Sequence, residues 1–184
     1  MINHLRVLFP HYDVGVAFIY FEHKQTWTPE DLLGSILADV ARSAWTAVSP
    51  KLIEIYKKHR ALNSRPSFDD ISQVLLSESN HFSKLFIIID AIDECSNSKT
   101  LIKLLKELSK LRPILRLMVT GRWNIRIDTV YPEYTLLSIK ANEEDIRTYL
   151  DSRINEAEIL KSYLNDDLNE TMIKDQIIKK ADGM

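Results

Sequence analysis

Glycine is scarce in this 184-residue chain and cysteine scarcer still, with four of the first and one of the second. The glycines are Gly15, Gly34, Gly121 and Gly183; none precedes lysine and no two lie five apart. A G-x-x-x-x-G-K-[ST] loop is therefore absent from the sequence. That loop needs glycine so that backbone N–H groups can close round phosphates, and lysine to neutralise them. With Cys95 alone, no disulfide can form within the chain, which fits a reducing compartment. Neither charge sign dominates: 24 Lys and Arg stand against 26 Asp and Glu, a net charge of −2. No overall basic field draws the chain to nucleic acid or anionic lipid, and the run Lys57-Lys58-His59-Arg60 reads as a solvated helix face. No apolar run approaches the ~18 residues of a membrane span. Residues 1–13 lack the charged head and apolar core of a signal peptide. The expectation is a cytoplasmic protein with neither nucleic acid nor membrane as partner. His4, His11, His23, His59 and His81 are scattered without metal-ligand spacing.

What is present is an alternation of apolar strands and amphipathic helices. Residues 1–9 carry Ile2, Leu5, Leu8 and Phe9 at helical spacing without an N-cap, as at the end of a helix, and Pro10 and Asp13 make a turn. VGVAFIYF at 14–21 suits a strand buried on both faces of a parallel sheet. Thr28-Pro29-Glu30-Asp31 starts a helix with Leu32, Leu33, Ile36, Leu37 and Val40 inward. A second helix over about 50–62 repeats the pattern with Leu52, Ile53, Ile55 and Tyr56. A third, capped by Ser67 or Asp69, carries Ile71, Val74, Leu75 and Leu76. Residues 85–90 read as a buried strand, 98–110 as a helix with Leu101, Leu104, Leu105 and Leu108 inward, 114–120 as a third strand and 134–139 as a fourth. Asn142 caps a helix with Ile146, Tyr149, Leu150 and Ile154 as its buried stripe, and 166–180 is again helical. Trp27, Trp45, Tyr56 and Phe68 sit at core-like positions. This alternation predicts a three-layer α/β fold with a mostly parallel sheet and a C-terminal helical extension.

Ligands of open α/β sheets bind outside the carboxyl ends of the strands. Asp90 sits there, after five apolar residues. A carboxylate in that place is offset by a hydrated Mg²⁺ in P-loop NTPases. Asp93 and Glu94 follow on the loop, where an acid can orient or deprotonate a water beside a γ-phosphate. About 30 residues on, one strand–helix unit away, Val119-Thr120-Gly121-Arg122 ends the next strand, and Arg122 can report a γ-phosphate. Cys95 has no nearby histidine and takes a packing role.

LFIIIDAIDEC at 85–95 followed by LMVTGR at 117–122 resembles the Walker B and sensor-1 segments of NACHT domains, within the STAND class of signal-transduction NTPases. The likeness is strongest to fungal members, in which "DALDEC" and "VTSRP" are typical. VGVAFIYF with TPEDLLGSILADV, the KANEEDIRTYLDSRI stretch and the terminal KKADGM also match. The resemblance implies a P-loop NTPase-type sheet of strand order 5-1-4-3-2, with the P-loop strand in the middle and absent here. It implies residues 1–140 as a partial NACHT-type nucleotide-binding domain and 141–184 as the start of a helical extension. It makes Asp90 the Mg²⁺-associated acid, Asp93 and Glu94 the acidic pair of which one is catalytic or positions water, and Arg122 the sensor-1 arginine. Trp123 for proline and Gly121 for serine depart from the family pattern and alter the turn that aims Arg122.

The function implied is part of a nucleotide-dependent signalling switch. Mg²⁺ with ATP or GTP would bind the full-length protein, and neither would bind this chain alone. The missing P-loop is expected to reflect a truncated gene model or a piece of a longer chain. Implied partners are other NACHT-type domains, an effector domain, and ankyrin or WD repeats. The alternative is a non-catalytic α/β interaction module or decayed paralogue. Losing the P-loop strand deprives the strand ending at Thr120 of a neighbour, unless residues 134–139 close the gap; a bare apolar edge implies marginal stability.

Overall fold

The structure, a computed structural model, describes residues 13–22, 26–43, 49–122, 127–156 and 167–181. The helix expected over residues 1–9, the histidines His4, His11 and His23, and Trp45 and Trp123 lie outside the described residues. The chain divides into two compact units, Met1–Tyr134 and Thr135–Met184.

The first unit runs β1 (Val14–Tyr20), α1 (Pro29–Ser43), α2 (Pro50–Ala61), α3 (Phe68–Ser79), β2 (Lys84–Asp90), a 3₁₀ turn (Ile92–Glu94), α4 (Ser98–Ser109) and β3 (Leu115–Val119). The three strands form one parallel sheet in the order β1-β2-β3. Each connection steps to the next strand in the same direction. Right-handed crossovers then put every connecting helix on one face.

The burial pattern agrees. Ala17, Ile19, Leu85, Ile87 and Ile89 share a core with Leu32, Leu33 and Ile36 of α1, Ile71, Val74 and Leu75 of α3, and Leu104, Leu105 and Leu108 of α4. On the other face Phe18 is 40%, Tyr20 57% and Met118 39% exposed, so described residues do not cover it fully. Phe18, Ile88 and Met118 stand in one row across the sheet. The expected three layers are two among the described residues of this unit, because both described crossovers fall on the same side.

Local chemistry fixes the helix starts. Thr28 Oγ1 accepts from Asp31 N at 3.1 Å while Asp31 Oδ2 accepts from Thr28 N and Oγ1, a capping box. Ser67, rather than Asp69, caps α3 and exchanges the same bonds with Asp70. The Ser67 hydroxyl, first among the causes, holds the Asp70 carboxyl well below the usual carboxylate range. Asn97 Oδ1 caps α4 by accepting from Lys99 N and Thr100 N.

Buried polar side chains then tie helix to helix. Ser72 of α3 bonds Glu107 of α4, and Ser49 at the start of α2 bonds Glu78 of α3. His59 spans Ser64 and Asp70 at the α2–α3 corner. The free edge of β1 is closed by α1: Asp39 Oδ2 accepts from Phe18 N at 3.1 Å, and Ser43 Oγ bridges Val16 N and O. β3 pairs with no second strand among the described residues.

Two stripes are shallower than expected. In α2 no residue is buried; Leu52 and Ile55 lean on the core, whereas Ile53 and Tyr56 are exposed. Residues 134–139 are not a strand: Leu136, Leu137 and Ile139 are 76–81% exposed. An apolar run becomes a strand only when paired, and the P-loop strand that the resemblance sets beside it has no counterpart in the sequence.

The second unit contains α5 (Glu143–Glu156) and α6 (Asp167–Ala181). Asn142 Oδ1 accepts from Asp145 N at 2.7 Å, the expected cap. Of the expected stripe only Ile154 is buried, and Tyr149 is 59% exposed. The helices meet through charge instead: Arg147 bonds Asp175 at 2.7 Å, and Lys174 pairs with Asp151. Among the described residues no helix is long and apolar enough to cross a membrane.

Candidate functional site

The site is built where β2 and β3 end side by side. Ile89 lies opposite Val119 in the parallel register, so the next residues out, Asp90 and Thr120, are neighbours. Thr120 N donates to Ile89 O at 2.9 Å and Ile92 N donates to Thr120 O at 3.0 Å, which extends the ladder beyond both strands.

Immediately after Asp90 the backbone turns through the left-handed region at Ala91, φ 55° and ψ 45°. A small residue tolerates that conformation at modest cost, whereas a β-branched one does not. The turn sends Ile92 into the core, 1% exposed, and this anchor fixes the short 3₁₀ turn that presents Asp93 and Glu94. Cys95 rests partly buried against the same core.

All four sequence-predicted residues come to this strand end, with different surroundings. Asp90 Oδ1 accepts from Ala91 N at 3.1 Å and from the Thr120 hydroxyl, while Thr120 Oγ1 also accepts from Ala91 N at 3.1 Å. The Asp93 carboxylate is largely covered, 18% exposed at its side chain. It accepts from Arg122 N at 3.2 Å and faces Arg122 Nε at 3.3 Å. The Arg122 side chain is otherwise open to solvent, 83% exposed. The Glu94 carboxylate has no hydrogen-bond or ion-pair partner among the described residues.

Sequence reading missed Thr120. The available signal was a hydroxyl residue at the end of the strand next to an acid-tipped one, which becomes meaningful only once the register is known.

Among the described residues no three His, Cys, Asp or Glu side chains group to cage a metal ion. Mg²⁺ keeps several waters and is bound through one or two carboxylates plus phosphate oxygens. Asp90 Oδ2 and Glu94 supply hard oxygen donors of that kind.

A cavity of about 490 Å³ lies elsewhere, at the amino end of β3, where Lys51, Leu76, Lys110, Arg112 and Ile114 line it. The carboxyl ends of α3 and α4 border it, and cations there complement the helix dipoles.

No curated protein matches the chain. The profile of the family Nephrocystin 3, N-terminal, matches residues 1–122, a span that holds Asp90, Asp93, Glu94, Thr120 and Arg122. The matched span is two-thirds of the sequence and includes the whole β1–β3 sheet, so the chain belongs to the Nephrocystin 3 N-terminal family, a NACHT-related region.

Proposed function

We propose that this chain forms the Mg²⁺ and γ-phosphate side of a NACHT-like nucleotide switch of P-loop NTPase type. The observation that carries the proposal is that Asp90, Asp93, Glu94 and Arg122 all lie at the carboxyl ends of two adjacent parallel strands, with Arg122 paired to Asp93. Mg²⁺, when bound, neutralises phosphate charge. Asp90 would hold its water shell, and Arg122 would meet the γ-phosphate. In hydrolysis, the water oxygen bonds the γ-phosphorus as the bond to the bridging oxygen breaks. The diphosphate leaves with that electron pair, and an acid of the Asp93–Glu94 pair takes the water proton. The phosphate cradle is not encoded in these 184 residues, so the other half of the grip has to be supplied from outside them. Full-length partners are then effector and repeat domains or other NACHT-type domains, and the cytoplasm is the compartment.

A second proposal, a non-catalytic interaction module, is favoured by that same missing cradle and by the half-exposed Phe18, Tyr20 and Met118 face. The genomic sequence upstream of the Met1 codon discriminates: an in-frame GxxxxGK[ST] supports the switch, and its absence supports the module. In solution, calorimetric titration of the 184-residue chain with MgATP and MgGTP should give no binding at micromolar concentration. A product carrying the cradle should bind, and Asp90→Ala should weaken it. Micromolar binding by the 184-residue chain would overturn this division of the site.

A further inference from the structure

We infer that Asp93 and Thr120 are positioning residues, Asp93 for Arg122 and Thr120 for Asp90, and that Glu94 alone of the acidic pair is left to act on water. The inference rests on the nucleotide-site proposal above and assigns roles that the motif leaves open.

Asp93 takes both the backbone N–H and the guanidinium Nε of one residue, Arg122. Oδ1 is taken by the backbone N–H and Oδ2 faces the guanidinium, so neither oxygen of Asp93 is left open to a water. Holding Nε leaves Arg122 with its two terminal NH₂ groups, a parallel fork that matches two phosphate oxygens. Asp93 therefore orients the arginine without using the donors that would meet phosphate. Glu94, one residue on, has no such partner among the described residues and keeps both oxygens free.

Thr120 acts on the other acid. Its hydroxyl accepts from Ala91 N and, with both lone-pair and proton directions set, donates to Asp90 Oδ1. Ala91 N reaches the same oxygen. Oδ1 is thus taken, and Oδ2 has no hydrogen-bond partner among the described residues. The two contacts, Thr120–Asp90 and Arg122–Asp93, clasp the loop after β2 to the tip of β3 at two points.

Both contacts are testable on the 184-residue chain by NMR without any nucleotide. In wild type, the Arg122 Nε–H should exchange more slowly with water than that of a free arginine, because Asp93 faces it. Asp93→Asn should speed that exchange by roughly three- to fivefold, the loss of an ion pair largely open to water, while Glu94→Gln leaves it within about 1.5-fold. Mn²⁺, used as the probe for the cation, should broaden amides 90–94 in wild type and in Asp93→Asn. In Thr120→Val and Glu94→Gln the same broadening should need several-fold more Mn²⁺. Thr120→Ser, which keeps the hydroxyl, should restore the wild-type response.

Arg122 exchange unchanged by Asp93→Asn, or Mn²⁺ broadening lost in Asp93→Asn and kept in Glu94→Gln, overturns the inference. No broadening in wild type, with the Arg122 exchange behaving as stated, sinks the nucleotide-site proposal and leaves Asp93 as the holder of Arg122.

Discussion

Two glycine-to-alanine substitutions should move the stability of this protein in opposite directions. A Cβ built on Gly15 comes 2.7 Å from Leu85 Cδ1 and 3.3 Å from Phe82 Cδ1. Carbon atoms prefer about 3.5–4.0 Å, so the overlap with Leu85 is about 1 Å. Leu85 is fully buried opposite Gly15 in the β1–β2 register and cannot swing toward solvent, and Phe82 closes the other direction at 4% exposure. Overpacking of this kind costs about 1–3 kcal/mol, against about 0.4–1 kcal/mol regained because alanine narrows the unfolded ensemble. Gly15→Ala should therefore destabilise by about 1–2 kcal/mol.

Gly34 is the control. A Cβ there meets only Ile71 Cδ1, at 4.0 Å, an ordinary contact. Its place inside α1 leaves the helix preference of alanine over glycine to act, about 1 kcal/mol in favour of Gly34→Ala. Equilibrium urea unfolding followed at 222 nm measures both. With a slope of about 1–3 kcal/mol per molar urea, the two midpoints should lie about 1 M apart on either side of wild type. A Gly15→Ala midpoint at or above wild type, with the slope unchanged, would refute the packing argument.

Substitutions at three further positions probe other joints. Asp39→Ala strips the acceptor from Phe18 N at the closed edge of β1 and should cost about 1–3 kcal/mol in the same urea assay; a loss below about 0.5 kcal/mol would show the edge is satisfied otherwise. Asn97→Ala removes the cap of α4 and should cost about 1 kcal/mol, whereas Asn97→Asp should retain most of the stability. Burial pushes the Tyr131 hydroxyl up to about 12, with the nearby Arg112 opposing, and its folded value lies above the unfolded one near 10. The contribution of Tyr131 is therefore complete below about pH 10 and lost as pH rises through 12. Absorbance at 295 nm should show one tyrosine ionising late, absent in Tyr131→Phe; a complete tyrosine titration in folded protein by about pH 11 would contradict it.

The sheet and most helices were readable because their signals are local and redundant. Thr28 with Asp31, the serine–aspartate pair at 67 and 70, and Asn142 each announce a helix start, and the runs at 14–20 and 84–90 are long enough to be unambiguous. The misjudged features depend on a partner the sequence does not name. Ile53, Tyr56 and Tyr149 sit on apolar stripes, but a stripe is buried only if something lies across it. Residues 134–139 have strand composition and pair with no strand among the described residues. The site divides in the same way. Asp90, Asp93, Glu94 and Arg122 follow from motif position, whereas the Asp93–Arg122 pairing joins residues 29 apart and the Thr120–Asp90 bond joins residues 30 apart. Both exist only through the parallel register of β2 and β3.

That dependence joins the fold to the site. Apart from the local Ala91 N–H on Asp90, every described contact that orients Asp90 and Arg122 crosses from the β2 end to the β3 end, and none comes from an α-helix side chain. β2 is held on both sides, by seven register pairs with β1 and five with β3. β3 is held on one side among the described residues, and its burial alternates between half-buried and exposed. Asp90 therefore stands on the firm side of the site and Arg122 on the loose side. A strand added along β3 would hold the arginine without touching it, by restricting the tip from which Thr120 and Arg122 extend. The open edge is then both the weak point of the sheet and the place from which the geometry of the arginine can be tuned.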